Sequence, residues 1–251
     1  FHEQVLCRRL RERNSFPNVF RAGATIERND ISYWLEQFIP FDYSCSSTEK
    51  REGGPGWDYD WRFSPKKWGY YHPDINDYRK KGGMNRSIFR CLDIDTLHTS
   101  ISQKQVNKAF NQVKNGESTV LAVSGHDRRD LRPEIDYFYN LVLNASKKYK
   151  DVEWIFNNAV DAAREVINIK DKKKLILKLK LETDILKISA NKKIFGSIPF
   201  IAIEEKNNVF FRANPTIEKN NEWVYKIPRI KKSIKIGVAA NDYFGNTAIQ
   251  V

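Results

Sequence analysis

The hydrophobic pattern of the chain changes near residue 170, and this change constrains the fold more than any other feature. Before it, strand-like apolar runs, among them residues 119–123 and 152–156, alternate with helical stripes over residues 106–113, 135–142 and 159–166. After it, apolar and polar residues alternate with a period of two, in short segments separated by turns. The first pattern predicts a parallel sheet with helices, open or closed into a barrel, over residues 1–169. The second predicts a small antiparallel β-sandwich over residues 176–251, which we expect to act as an accessory domain.

One strand-like run of the first domain ends in titratable side chains. Residues 120–123 are apolar, Ser124 and Gly125 end the run, and His126 and Asp127 follow before a helical pattern begins. Enzymes with α/β folds place their active sites at the carboxyl ends of buried strands. The segment therefore indicates either a candidate active site or, alternatively, an exposed histidine beside acids that cap the next helix.

A long segment between residues 46 and 97, which we call the aromatic insert, is rich in Gly, Pro, Trp and Tyr. Loops of this length inside a compact domain are usually functional. Exposed aromatic rings suit the apolar faces of sugar rings, and the candidate substrate-binding residues are Trp57, Trp61, Tyr71 and His72. The alternative is that these rings form a small local core.

The chain is basic, with 43 Lys and Arg against 31 acidic residues and a formal net charge of +12. A basic protein can bind nucleic acids, anionic glycans or anionic membranes. Many of the lysines, however, alternate with apolar residues over 178–181 or fill a connector over 170–174, as on a solvated strand face. Because no zinc-finger spacing or aromatic RNA-binding pattern accompanies them, nucleic acid is not the expected partner.

Cysteine spacing argues against a structural zinc site and a redox pair, and hydropathy argues against a membrane-spanning segment. Cys7, Cys45 and Cys91 are far apart and form no CxxC pair, so neither a structural zinc site nor a redox pair is indicated. We interpret the three as buried small hydrophobic residues, with a single disulfide left as an alternative. No apolar run is long enough to span a bilayer.

Three short blocks of the first domain resemble motifs of one enzyme family. Residues 20–23 (Phe-Arg-Ala-Gly) are similar to a motif in which an Arg at a strand end orients the catalytic aspartate. Residues 120–127 are similar to a strand that ends in a general-acid His, and residues 71–78 resemble an insert of some members. The family is that of the polysaccharide deacetylases, and the likeness covers roughly residues 1–168. The tail, residues 238–246, resembles the last hairpin of bacterial immunoglobulin-like modules.

The resemblance implies a fold, a chemistry and roles for named residues. The implied fold is a distorted (β/α) barrel, and the implied reaction is hydrolysis of N- or O-acetyl groups on a polysaccharide or other glycan, assisted by a divalent metal, usually zinc. His126 would be the general acid, and Arg21 would orient the catalytic base. Asp42 would match the fourth motif by its position, although residues 58–61 match that motif more literally. His2 is either the last metal ligand of an incomplete histidine pair or an incidental histidine.

The chain also departs from the family pattern. The family strand with two adjacent aspartates does not appear, so the base and most metal ligands would have to precede Phe1. The resemblance also favours an extracytoplasmic or cell-envelope location. Two other functions stay open: an inactive deacetylase-like protein that holds glycan through the aromatic insert, and a basic protein that binds nucleic acid or another anionic polymer.

Overall fold

The structure is a computed structural model that describes residues 2–25, 27–47, 61–94, 100–126, 129–169, 171, 173–228 and 235–251. The helices of the described part are α1 (His2–Arg13), α2 (Asn29–Leu35), α3 (Gln103–Lys114), α4 (Arg132–Lys148) and α5 (Ala159–Ile167). The first five strands are β1 (Val19–Phe20), β2 (Phe41–Cys45), β3 (Tyr70–Tyr71), β4 (Ser87–Asp93) and β5 (Ala122–Ser124). The later strands are β6 (Leu177–Glu182), β7 (Ile185–Ala190), β8 (Phe200–Glu205), β9 (Val209–Ala213), β10 (Thr216–Lys219), β11 (Glu222–Lys226), β12 (Lys235–Asn241) and β13 (Thr247–Gln250).

The chain divides into two compact units. The α/β unit comprises Val19–Tyr33 and Phe41–Ile169, and the β unit comprises Phe1–Asn18, Trp34–Pro40 and Lys170–Val251. The β unit therefore contains helix α1 and a short later segment, which the sequence pattern assigns to the first domain.

The α/β unit contains an open sheet, so the expectation of a distorted (β/α) barrel is wrong. Its strands run in the order β1-β2-β4, with β3 and β5 both on the far edge of β4. Strands β1, β2, β4 and β5 are parallel to their neighbours, and β3 is antiparallel to β4. Within the described ranges, β1 and β5 pair with one neighbour each, so the sheet does not close on itself.

Strand β4 lies at the centre of this sheet, and all seven of its residues are buried. Phe89 and Cys91 pack in a cluster with Ala163 of α5, whereas Leu92 packs in a second cluster with residues of α3 and α4. Since successive side chains of a strand point to opposite faces, helices cover both faces of the sheet at β4. This double burial explains the absence of polar alternation along the strand.

The β unit contains two four-stranded antiparallel sheets, in the orders β10-β11-β7-β6 and β13-β12-β8-β9. The period-two pattern buries one face of β7, where Leu186 and Ile188 are 5% and 1% exposed. In contrast, the first four residues of β8 are all buried and all four residues of β10 are exposed. Both sheets contribute to one hydrophobic core. Helix α1 packs its buried side, formed by Leu6, Cys7 and Leu10, against β8, β9 and β12.

Most predicted elements of the first domain are present, but one is absent and two strands, β3 and β4, are additional. The helical stripes over 106–113, 135–142 and 159–166 are confirmed as α3, α4 and α5. The predicted strand over 152–156 is wrong: these residues form no strand, and Ile155 and Phe156 are 76% and 64% exposed. Strand β4, in contrast, lies inside the segment that the sequence predicts to be irregular.

Two further expectations concern the state of the cysteines and the hydropathy of the helices. Cys7, Cys45 and Cys91 are buried and unpaired, which confirms their interpretation as small buried hydrophobic residues. In the part of the chain that the structure describes, no helix combines the length and the hydropathy that crossing a bilayer requires.

Candidate functional site

The carboxyl ends of three parallel strands bring polar side chains together. Arg21 follows β1, Asp93 ends β4, and Ser124 ends β5. Arg21 Nη2 donates to Asp93 Oδ1 at 2.6 Å, and Ser124 Oγ donates to the same oxygen at 2.8 Å. We call Arg21, Asp93 and Ser124 the carboxyl-edge cluster. Active sites of open α/β sheets lie at this edge.

Local backbone geometry fixes both partners of Asp93. The Ala22 N–H donates to Ser44 Oγ of β2 at 2.8 Å, which anchors the turn that carries Arg21. Asp93 and Ser124 are opposite each other in the parallel ladder of β4 and β5. The strand register therefore places the hydroxyl beside the carboxylate without any contribution from flexible loops.

The cluster is partly shielded from water. The Asp93 side chain is 7% exposed and the Arg21 side chain is 27% exposed. A hydrogen bond between ions of opposite charge is shorter and stronger than a neutral one, especially where water is scarce. The arrangement therefore holds the Asp93 side chain in a fixed orientation, beside a guanidinium that still reaches solvent.

Cys91, on the same face of β4 as Asp93, lies next to this cluster. Burial raises the pKa of its thiol, and the neighbouring Ser124 and Arg21 lower it only in part. The thiol is therefore protonated at neutral pH and is unsuited to nucleophilic attack, since the thiolate is the reactive form.

His126 lies two residues beyond Ser124, in the direction in which β5 runs. It is exposed, and Gly125 before it packs closely, because a Cβ atom on Gly125 would lie 3.3 Å from Ile94 and from Leu131. An exposed imidazole just beyond the carboxyl end of a strand is suited to proton transfer to a substrate. Asp127 lies outside the described residues.

Asp42 does not belong to this cluster. It is the second residue of β2 and not its last, and it is fully buried. Arg86 donates to Asp42, to Glu27 at 2.7 Å and to Ser32, and both carboxyl side chains are 0% exposed. The prediction that Asp42 acts at the site is therefore corrected: it lies in a buried ionic network that solvent does not reach.

The buried network carries two carboxyl groups for one guanidinium. Burial and the neighbouring Asp42 charge raise the pKa of Glu27 to about 8, against the opposing effect of Arg86. Two buried carboxylates close together cannot both ionise without a large cost, so Glu27 holds a proton at neutral pH. The network is then an Arg86–Asp42 ion pair beside a neutral acid.

The aromatic candidates are placed differently from what sugar binding would need. Trp61 and Tyr71 are each 5% exposed and donate hydrogen bonds to the carbonyl oxygens of Thr25 and Tyr78. Both belong to a local core with Cys45, Tyr78 and Ile88, so they present no open ring face. The alternative of a small local core is therefore correct for these two residues.

The other two candidates have different outcomes. His72 is exposed, with Nδ1 3.1 Å from the Arg86 carbonyl oxygen and its ring 5.6 Å from that of Tyr70. Trp57 lies outside the described residues. Among the described residues of the aromatic insert, the other exposed rings are those of Phe63 and Tyr70, which are 67% and 38% exposed.

The proposed metal ligand His2 is exposed on α1, with its ring 6.0 Å from that of Trp34. It belongs to the β unit, whereas Arg21, Asp93 and His126 belong to the α/β unit. Among the residues that are described, no three His, Cys, Asp or Glu side chains lie close enough together to hold a metal ion. The donors in these ranges therefore do not fit the zinc site that the resemblance implies.

Sequence reasoning missed Asp93 and Ser124 as members of the site. The usable signal was the run of residues 88–92 followed directly by Asp93, which matches the pattern that singles out His126. Arg90 interrupts that run and obscures it. Arg90 is nonetheless 2% exposed and lies over the Trp68 ring at 4.4 Å.

Comparison of the chain with protein-family models, with curated proteins and with solved structures found no match.

Proposed function

We propose that the protein is a hydrolase that removes acetyl groups from a glycan, with its site at the carboxyl-edge cluster and His126. The observation that carries this proposal is the double hydrogen bond to Asp93 Oδ1 from Arg21 and Ser124 at the ends of parallel strands. The motif resemblance around Arg21 and His126 supports the substrate class.

Each residue has a role that its position supports. Asp93, held in one orientation by Arg21 and Ser124, would accept a proton from the attacking water. His126, exposed beyond the strand, would donate a proton to the leaving nitrogen or oxygen of the sugar. Arg21 and Ser124 are positioning residues, because they act through the carboxylate.

Zinc remains part of the proposal only as an expectation of the resemblance. A divalent metal in such a reaction polarises the acyl carbonyl and lowers the pKa of a bound water. The described side chains do not supply a donor set for such a metal, and Asp93 and His126 are assigned proton transfer only.

The test is acetate release from N-acetylated and O-acetylated oligosaccharides. We expect Asp93→Asn and His126→Ala each to reduce turnover by roughly 10²-fold or more, the usual effect of removing a general base or acid. Asp136→Asn is the matched control, because Asp136 is an exposed acid on α4, and it should retain full turnover.

The outcomes separate this proposal from its alternatives. Full activity of His126→Ala would refute the assignment of the acid. Saturable glycan binding by the unmodified protein without any acetate release would instead identify a binding protein. Binding to DNA that falls steeply with salt would favour the anionic-polymer alternative.

A further inference from the structure

A cavity lies in the α/β unit at the edge of β4 that pairs with β3 and β5. Two strands of opposite direction share this edge: Tyr70 of β3 pairs with Phe89, and Ala122 of β5 pairs with Cys91. The segments that lead into β3 and β5 diverge beside Arg90, and a cavity of about 320 Å³ opens between them. Its walls come mainly from residues 65–71 and 117–118, so it is not formed by the carboxyl-edge cluster.

The charged side chains that line the cavity are mostly cationic. They are Lys67, Lys81, Arg90 and Glu117. Lys67 pairs with Glu117 at 2.5 Å, whereas Lys81 has no carboxylate within ion-pair distance among the described residues. Because three cationic side chains and one carboxylate leave an excess of positive charge in this recess, the cavity favours an anion.

The aromatic wall of the cavity is partly prearranged. Gln112 accepts a hydrogen bond from the Trp68 N–H at 2.9 Å and donates to the Trp68 carbonyl at 3.1 Å, which fixes this part of the wall. Trp68 itself is buried under Arg90, at 4.4 Å. Tyr70 is 38% exposed and lines the same cavity, so its ring offers an apolar surface to a ligand.

Size and polarity narrow the class of ligand. The volume of about 320 Å³ lies at the small end of the range for ligand pockets. Ser118, Glu117, Lys67 and Lys81 line the cavity together with Tyr70. Such a mixture of donors, acceptors and one ring suits a hydroxylated ring better than a purely apolar one.

We propose that this cavity binds a small anionic sugar, a single hydroxylated ring that carries a carboxylate or a phosphate, with Lys81 as the residue that recognises the negative group. The anionic group would lie at the Lys81 ammonium, and the ring would lie along Tyr70. The proposal does not depend on the hydrolase activity, because the two sites share no residue.

Calorimetric titration of the full chain tests this proposal, with D-glucuronate, D-glucose 6-phosphate and D-glucose as probes at one fixed ionic strength. We expect the anionic probes to bind at least 10-fold more tightly than glucose. If glucuronate binds and the phosphate does not, the recognised group is a carboxylate; the reverse result identifies a phosphate.

Single-residue variants test whether the anionic probe binds in this cavity. Lys81→Ala should weaken binding of the anionic probe at least 10-fold, and Ser118→Trp should block it by filling the cavity. Lys147→Ala, which removes an exposed lysine of α4 outside the cavity, should leave it unchanged, as should Asp93→Asn.

Three results would overturn the proposal. They are the absence of binding of both anionic probes at millimolar concentration, equal binding of glucose, and an unchanged affinity in Lys81→Ala. Retained binding in Asp93→Asn together with lost acetate release would show that the two sites work independently.

Discussion

Arg86 and its two carboxyl partners are completely enclosed, so removing the cation should be costly. Arg86, Glu27 and Asp42 have side chains that are 0% exposed. Arg86→Met leaves a buried carboxylate without its counter-ion, and we expect the free energy of unfolding to fall by about 3–5 kcal/mol. Urea denaturation followed by tryptophan fluorescence measures this change.

The control for this variant is Arg132→Met. Arg132 also pairs with an aspartate, Asp130, but its side chain is 85% exposed. We expect a change within about 0.5 kcal/mol, because exposed ion pairs contribute little. Equal stabilities of the two variants would contradict the importance assigned to the buried network.

The raised pKa of Glu27 predicts how stability depends on pH. The ordinary value is 4.5 and the folded value about 8, so between these the folded state binds a proton that the unfolded state has lost. The stabilisation is therefore fully present below pH 4.5 and is lost as pH rises through about 8. Glu27→Gln, which is permanently neutral, should flatten this part of the curve.

Unfolding free energies of the native protein and Glu27→Gln, compared at several values between about pH 4 and about pH 9, measure this effect. Their difference isolates Glu27, because all other titrating groups are shared. Two parallel curves would mean that Glu27 has the same pKa in the folded and the unfolded state.

Arg21 offers a test of orientation as opposed to charge. Its planar guanidinium bonds Asp93 at 2.6 Å from a turn anchored on Ser44. A lysine keeps the charge but loses the planar geometry, so Arg21→Lys should lower kcat by about 10-fold or more while KM changes little. A wild-type kcat in Arg21→Lys would show that Arg21 does not position the base.

At the scale of elements, the segment after β3 contains two adjacent glycines in different surroundings. A Cβ atom on Gly82 would lie 2.3 Å from Asp74 Cα, whereas one on Gly83 would meet nothing within 4 Å. The loop is also closed by hydrogen bonds from Gly82 N to the His72 carbonyl and from Asp74 N to the Lys80 carbonyl. Gly82→Ala must therefore displace backbone.

We expect Gly82→Ala to lower the free energy of unfolding by about 1–3 kcal/mol, as overpacking does. Gly83→Ala is the matched control and should change it by less than about 0.5 kcal/mol. Thermal and urea denaturation of both variants measure the difference. If the two variants are equally stable, the close approach of this loop to Asp74 is not present.

The same scale shows which elements sequence alone can predict. Helices α3 and α4 are predictable because each buries one side, so the apolar residues recur at helical spacing. Strand β4 escapes prediction because helices cover both of its faces and because a buried arginine, Arg90, interrupts its apolar run. The sequence does not indicate that Arg90 is buried against the ring of Trp68.

The candidate site illustrates the same limit. Arg21 and His126 follow apolar runs, so their positions at strand ends are predictable. The contact between Arg21 and Asp93, which are 72 positions apart, depends on the strand order β1-β2-β4-β5. Periodicity reports which face of an element is buried and does not report which elements are neighbours.

At the scale of the whole molecule, the β unit is assembled from three separate segments of the chain. Asn241 of β12 donates to the carbonyl oxygens of both Pro17 and Phe38, at 2.7 and 2.8 Å. The Phe16 and Phe38 rings each lie within 5.3 Å of the Phe200 ring. These contacts join residues about 160 to 220 positions apart, and nothing in the local pattern of residues 1–40 indicates them.

This assembly predicts the behaviour of a chain that ends at residue 169. Such a fragment retains α1 and residues 34–40 but loses every strand from β6 onward. The buried side of α1, including Leu6 and Leu10, and the rings of Phe16 and Phe38 would then face water. Exposing apolar surface to water costs about 25 cal/mol per Å² in free energy. The exposure of these side chains therefore favours aggregation or unfolding of the segments that carry them.

We expect the 1–169 fragment to aggregate on size-exclusion chromatography, and co-expression with residues 171–251 to restore a species of full-chain size. The fragment 19–169, which lacks α1, is the control for whether α1 causes the aggregation, and it should aggregate less. The prediction concerns the β unit alone, because the strands and rings against which α1 and Phe16 pack belong to that unit. A monomeric 1–169 fragment with a cooperative thermal transition would show that these N-terminal segments do not require the C-terminal strands.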